Sequence, residues 1–557
     1  MLIEKYFENM KTIKIYKSLK VLSRVSILAA LALNFNSCEQ FDIEEAPLSS
    51  QVLVSEYTSM PQLELGVTGI YGKLNKAAWM STFYVNGWSG DDITTHVASN
   101  KADFREYDQR FVTPENSRTL TNWNGVFEMV RAANTVLQSV EGQTLLVPGT
   151  GQPNPEKQER LIGETYFLRA IMFNHLMRIH GRIPLVLTVD ASQQSPLASQ
   201  LEVFEQIESD LLEAETRLPV KSQFVGSTTP SKGTARAFLA RLYMDWAGFP
   251  LNDTGKYALA ASSAKSVIDN AAEHGFGLEP DLAKLWSLAG KFSQEGVFTI
   301  AYSNSGGNLT NRKMGKLGLP SDFAGWQETF AEIRFFEDMP EGARKEATYY
   351  DELPVTVDNS KNPPAITITA GTPDKVIPWE EFKDQQNPIF RKIVGDLADG
   401  DWNEFQTLRS DLYMRYAEVL LIYAEASGEA GSESADAWEA LNMVHRRAEG
   451  LDINTPDASD LTAGDGSLQD LAFTERKWEF AGEFIRWNDL VRKEKVAEAL
   501  GSRNPQVSIG TTYDENGVGS PKPLTTASNP VLGSLGTDNY YAPIPQQEIE
   551  KNPNLGN

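Results

Sequence analysis

The carboxylates of "TERKWEFAGEFIRWNDL" are the first residues whose types and spacing could do chemistry. Glu475, Glu479 and Glu483 recur every four positions, with Arg476 and Arg486 beside them. Side chains four apart share one face of a helix, so the acids would line a single stripe. Paired carboxylates are what glycoside cleavage requires, one as acid and the other as base or nucleophile. The same spacing also suits ion pairs that lock helices together. That second reading is adopted, because acids on the core side of a helix stack are badly placed to flank a long sugar chain. In "RYAEVLLIYAEA", Glu418 and Glu425 stand seven apart and near one another in angle, while Tyr416, Val419, Leu420 and Tyr423 form the apolar face.

Other catalytic constellations are absent. No two of the five histidines, His96, His175, His180, His274 and His445, are four residues apart, the spacing that puts two metal ligands on one helix face. There is no G-x-S-x-G, no G-x-x-x-x-G-K and no dinucleotide fingerprint. "YDENGVGS", from Tyr513, lacks the distant glutamate of a calcium loop and reads as a turn. No catalytic residue, metal ligand or cofactor is assigned, and an enzyme is not expected.

Binding chemistry is better represented. Aromatic faces can stack on the C–H faces of sugar rings while carboxylates and amides take the hydroxyls. "AAWMSTFYVNGWSGDDITTH" supplies Trp79, Phe83, Tyr84, Trp88, Asp91 and Asp92. "AYSNSGGNLTNRKMGKLGLPSDFAGWQ" supplies Tyr302, Asn304, Asn308, Asn311 and Trp326. The expected ligand-binding set is Trp79, Tyr84, Trp88, Asp91, Asp92, Tyr302, Asn304, Asn308 and Trp326.

These loops need a frame, and amphipathic helices recur along the chain. Leu161, Leu168, Met172, Leu176 and Ile179 follow helical spacing, with Gly181 and Pro184 as the stop. Val126, Val130, Ala133 and Leu137 make one stripe, and Phe204, Ile207, Leu211 and Ala214 another that ends at Pro219. Further helical patterns cover about 232–247, 256–270, 411–428, 434–449 and 468–499. Paired helices with short turns predict a mainly α fold, a superhelical stack of TPR-like helix hairpins. Residues 79–118, 272–405 and 500–545 interrupt it with Gly, Pro, Asn and isolated aromatics. Long loops on a rigid frame are where binding residues usually sit.

The chain has 557 residues, 41% hydrophobic and 23% charged, which describes a globular protein with a sizeable core. Its one cysteine, Cys38, permits no internal disulfide. Before it come Lys5, Lys11, Lys14, Lys17, Lys20 and Arg24, then the uncharged run Val25 to Phe35. Basic residues followed by a short apolar run read as a secretory leader, here 1–37, and the run itself is too short to span a bilayer as a helix. A net charge of −24 opposes binding to phosphate backbones, so nucleic acid is not an expected partner.

"FNSC" resembles a bacterial lipoprotein box, which implies lipidation of Cys38. The acidic Glu39, Asp42, Glu44 and Glu45 resemble the signal that sends Bacteroidetes lipoproteins to the cell surface. "GETYFLRAIMFNHLMRIHGRIPLV", "MRYAEVLLIYAEASGEAG", "ALNMVHRRAEG", "FTERKWEFAGEFIRWNDLVR" and "YAPIPQQEIEKNPNLGN" resemble, in order, the signature blocks of the SusD/RagB family of outer-membrane lipoproteins. One departure is Phe484, where the family pattern usually has glycine; if the position needs positive φ, the local turn is expected to differ.

The resemblance implies a SusD-like domain over 38–557, with an N-terminal helical part at about 50–300, a loop-rich insert at about 272–405 and a C-terminal helical part at about 406–557. It implies a lipid-anchored outer-membrane protein facing the cell exterior. Such a protein captures oligosaccharides and passes them to a SusC-like TonB-dependent transporter, as a hinged lid over the barrel. Two alternatives stand beside it: RagB-like peptide uptake, which would call for backbone hydrogen-bonding groups more than stacking platforms, and a surface glycosidase.

Overall fold

A computed structural model describes residues 57–78, 81–303, 315–382, 386–404, 407–501, 511–513, 519–521 and 531–556. Cys38 and the expected leader lie outside them. Helices form where apolar residues recur at helical spacing and end where capping chemistry is available. Helix α1, Met60–Ala78, has no counterpart among the expected helices, yet it buries Leu63, Val67, Ile70 and Leu74 along one stripe. Helix α2 is Ser117–Val140, and its cap Asn116 accepts from the amides of Arg118 and Thr119. Helix α3, Pro155–His180, opens with Asn154 as cap and proline in its first turn. It stops at Gly181, whose φ of +70° suits glycine and whose N–H donates to Met177 O at 2.7 Å.

Capping boxes begin the next two helices, Ser199 with Glu202 for α4, Gln200–Arg217, and Ser231 with Thr234 for α5, Lys232–Ala247. Each such cap contributes about 1 kcal/mol. Then come α6, Lys256–Asp269; α7, Tyr416–Glu429; α8, Ala435–Ala448; α9, Leu468–Glu479; and α10, Arg486–Arg492. From α1 to α6 each helix packs on its sequence neighbour. Helix α6 then packs on α7, and α7 on α8 and α9. One apolar core runs through this stack, from Leu63 and Phe167 to Leu420 and Leu441.

Two expected helices are shorter than their patterns. Over 411–428 the helix starts only at Tyr416, because Asp411–Arg415 is a strand paired antiparallel with Gly296–Ile300. Over 468–499 the helix breaks after Glu479. Gly482 at φ +78° and Phe484 at φ +64° turn the chain before α10 resumes. Phe484 thus adopts the left-handed geometry that glycine more often supplies.

The 272–405 segment is more than loops. It carries β2, Gly296–Ile300; β3, Phe330–Ala331, which pairs with the earlier β1, Ile93–Thr94; β4, Glu352–Asp358; β5, Ala365–Ile368; and β6, Lys375–Pro378. Strand β4 is the centre of an antiparallel sheet with β5 and β6 on its flanks. Leu319, Phe330, Leu353, Val355, Phe382 and Ile389 give it a small core of its own. Further on, Thr511–Tyr513 pairs antiparallel with Gly519–Pro521, on the two flanks of the expected turn.

Candidate functional site

The carboxylate series is consumed in the frame. Helix α9 and the turn after it place Glu475, Glu479 and Glu483 against arginines from other segments. Glu479, fully buried, pairs with Arg415 at 2.6 Å, Arg447 at 2.9 Å and Arg344 at 3.0 Å. Glu483 pairs with Arg415 at 2.8 Å and Lys392 at 2.7 Å, and Glu475 with Arg344. On α7, Glu418 pairs with Arg241, and Glu425 with Arg492. Burial by itself would raise Glu479, but Arg415, Arg447, Arg344 and Lys392 outweigh it and hold its carboxyl well below the usual range. A carboxylate held ionised among several cations is a poor general acid. Among the described residues no group of three or more His, Cys, Asp or Glu side chains is arranged to hold a metal ion.

Most of the expected binding aromatics are interior. Trp88 is fully buried, with its ring 4.4 Å from Phe104 and 5.1 Å from Phe484, and its indole N–H donates to Glu328 O at 3.0 Å. Tyr84 is buried and donates to Asp411, and Tyr302 is buried near the same carboxylate. In this structure none of the three offers a face to a ligand. Each packs in the main apolar core, so burying the ring gains more than exposing it.

The acids are structural too. Asp91 takes both Nε and Nη2 of Arg486, at 2.8 and 3.2 Å. Asp92 accepts the Gly482 amide at 2.9 Å, and burial, joined by the Asp91 charge, pushes its carboxyl up to about 7. Together they tie the segment before β1 to the turn between α9 and α10. Trp79, Asn304 and Asn308 lie outside the described residues.

Trp326 is different: it is 39% exposed. An antiparallel ladder presents it, in which Ile93 and Thr94 pair with Ala331 and Phe330 and the His96 amide reaches Gln327 O at 3.4 Å. The ladder is anchored beneath by Thr94, which donates to Asp108 at 2.8 Å, and by the Trp88 indole on Glu328. A tight turn then swings the indole outward. The amides of Trp326, Gln327 and Glu328 donate to Lys316, Leu319 and Leu317 carbonyls at 2.8, 3.2 and 2.9 Å. Gly325 is required there, since a Cβ would sit 1.9 Å from Leu319 O.

Around the indole, Lys101 Nζ lies 5.5 Å from its ring centroid and pairs with buried Glu328 at 3.3 Å. A buried ammonium at that distance contributes a cation–π attraction that helps fix the ring. Val97, 47% exposed, belongs to the neighbouring arm of the ladder. The arrangement offers an apolar aromatic platform on a rigid base, suited to the face of a ring-shaped ligand. The sequence reading missed Lys101 and Val97. Neither type signals binding on its own, and only the ladder brings them to Trp326.

Comparison with known proteins places the chain in a family. The SusD family model matches residues 377–557, and a model described as SusD-like, "Starch-binding associating with outer membrane", matches residues 47–244. SusD-like protein P2 of Formosa agariphila is 26% identical over 545 residues, covering 92% of this chain and 95% of that protein. The crystal structure of a SusD homolog from Bacteroides thetaiotaomicron superposes with a TM-score of 0.72 at 21% identity, over 90% of this chain and 97% of that one. A laminarin-binding SusD-like protein superposes with a TM-score of 0.64 at 20% identity, over 89% and 98% of the two chains. With SusD models matching residues 47–244 and 377–557 and a SusD-like relative aligned over 92% of the chain, the chain belongs to the SusD/RagB family.

Proposed function

We propose that the protein is a cell-surface glycan-binding lipoprotein, anchored through Cys38 in the outer membrane. It captures oligosaccharides on the Trp326 face and delivers them to a SusC-like TonB-dependent transporter. The observation that carries the reading is a half-exposed tryptophan held out from a rigid ladder in a protein that buries most of its other loop aromatics. The relatives support it: one family model is described as starch-binding and outer-membrane associated, and one structural neighbour binds laminarin. Binding is the whole task, since the acids that could have served hydrolysis are paired with arginines.

The test is titration calorimetry with soluble starch, laminarin and other neutral glycans against the wild type and Trp326→Ala. Removing a stacking platform should weaken the bound glycan roughly tenfold, the equivalent of about 1.4 kcal/mol. If no glycan binds, or if the variant binds as well as the wild type, the reading fails. For the anchor, Cys38→Ala should move the protein from the membrane to the soluble fraction.

A further inference from the structure

A groove on the helical frame, lined by none of the residues of the Trp326 ladder, runs between α2, residues 184–195 and the short helix Gln546–Lys551. Its volume is about 360 Å³, within the usual range for small-ligand sites. Helix α2 supplies Asn124, Phe127 and Arg131, three and four residues apart and so on one face. The floor is apolar. Trp123 and Phe127 are buried in it, Trp123 braced edge-on against His180 at 5.0 Å, and Val186 and Leu555 complete it. Val189, 44% exposed, carries the apolar surface up to the rim.

Both walls are fastened by hydrogen bonds within the protein. Asn134 Nδ2 donates to Val186 O at 2.8 Å and the Val189 amide to Gln138 Oε1 at 2.8 Å, which holds residues 184–189 to α2. On the far side Gln194 Nε2 donates to Lys551 O at 2.9 Å and Asn552 Nδ2 to Ser195 O at 2.8 Å, which holds residues 192–195 to the C-terminal end of the chain. The rim is different: Asn124, Arg131 and Gln193 are exposed and make no side-chain hydrogen bond among the described residues. Lys551 pairs with Glu548 at 2.7 Å, so Arg131 is the one unpaired charge among the described residues lining the groove. An apolar floor takes the C–H face of a ring, and free amides and a guanidinium take its hydroxyls. A hydrocarbon chain would use only the floor, and a polyanion would find one unpaired cation on a chain of net charge −24. A neutral sugar uses floor and rim together, and walls fixed beforehand leave little of the protein to be ordered on binding.

We infer that this groove is a second saccharide subsite, which seats a neutral sugar on the apolar floor and takes its hydroxyls with Asn124, Arg131 and Gln193. This inference rests on the glycan-binding reading, which it deepens by giving the chain two separate places for neutral sugar.

The probes are maltotriose, laminaritriose and xylotriose, each titrated by calorimetry against the full chain, with trialanine as the comparison. A trisaccharide that binds should fill two sites in the wild type and one in Trp326→Ala. In the Trp326→Ala background, Arg131→Gln should weaken the remaining site roughly tenfold, as expected for losing a hydrogen bond from a charged donor. Asn124→Ala and Gln193→Ala should each weaken it by a smaller factor. All three side chains are exposed, so these variants should unfold at the urea midpoint of their parent, which separates lost binding from lost folding. One site in the wild type and none in Trp326→Ala would overturn the subsite while leaving the glycan-binding reading in place. A remaining site indifferent to all three substitutions, or one filled by trialanine and by none of the sugars, would overturn it too. The glycan-binding reading is judged separately, by soluble starch and laminarin on the wild type and Trp326→Ala.

Discussion

Trp88→Ala separates a residue that supports the site from one that touches ligand. The ring is fully buried against Phe104 and Phe484, so truncation costs about 3–5 kcal/mol in lost packing and cavity. It also strands the Glu328 carbonyl, which accepts the indole N–H at 3.0 Å, at a cost of about 1–3 kcal/mol. Because the two losses share one site they do not add fully, and roughly 4–6 kcal/mol is the expected destabilisation. Against a typical total of about 5–15 kcal/mol this takes a large share. Trp88→Phe keeps most of the packing and loses the hydrogen bond, so about 1–3 kcal/mol is expected. Urea unfolding followed by far-UV circular dichroism reads both values from the midpoint and slope. Trp326→Ala, on the exposed face, should shift the midpoint little and carry its effect in glycan affinity. The reasoning is refuted if Trp88→Ala unfolds at the wild-type midpoint and loses glycan affinity as Trp326→Ala does, because Trp88 would then be a ligand contact.

Other outcomes follow from the same geometry. Phe484→Gly relieves about 1–2 kcal/mol of left-handed strain at φ +64° but loses a buried ring, whereas Phe484→Ala loses the ring and keeps the strain. The glycine variant should therefore unfold at higher urea than the alanine variant, and the reverse order would refute the strain argument. Glu479→Gln leaves Arg415, Arg447 and Arg344 facing a neutral amide in the interior, so about 3–5 kcal/mol of stability should be lost, read by the same assay. Stability should fall on acidification in two windows. Burial pushes His175 to about 3 and His180 to about 4, so between the ordinary histidine range and those values the unfolded chain binds more protons. Below the ordinary carboxylate range the depressed Glu479, Glu475 and Glu483 add to the loss. Asp92 works the other way: its carboxyl, raised to about 7, costs stability as pH climbs from the ordinary aspartate value to 7, so Asp92→Asn should flatten that part of the profile in pH-dependent urea unfolding.

Much of the frame was legible in the chain, because helix formation is local. The stripe from Leu161 to Ile179 and the stop at Gly181 are readable within a few turns, and α3 follows them. The two shortened helices were not legible for the opposite reason. Asp411–Arg415 leads directly into α7 with Leu412 and Met414 among its residues, and only its pairing with Gly296–Ile300, more than a hundred residues earlier, makes it a strand. The sheet around β4 was missed because its short strands have meaning only once paired.

For the site, the division is sharper. Residue type and spacing by themselves determined that the chain builds a helical frame, that Glu475, Glu479 and Glu483 would share a region, and that aromatic-rich loops would carry any binding surface. They could not rank Trp88 against Trp326, since both sit among Gly, Asp and Ser in similar loops. Only the tertiary structure decided it. Trp88 finds an acceptor 240 residues away in Glu328 and a core around its ring, while a turn built on Gly325 leaves Trp326 half in solvent. Burial is a property of what packs against a residue, and those partners come from distant parts of the chain.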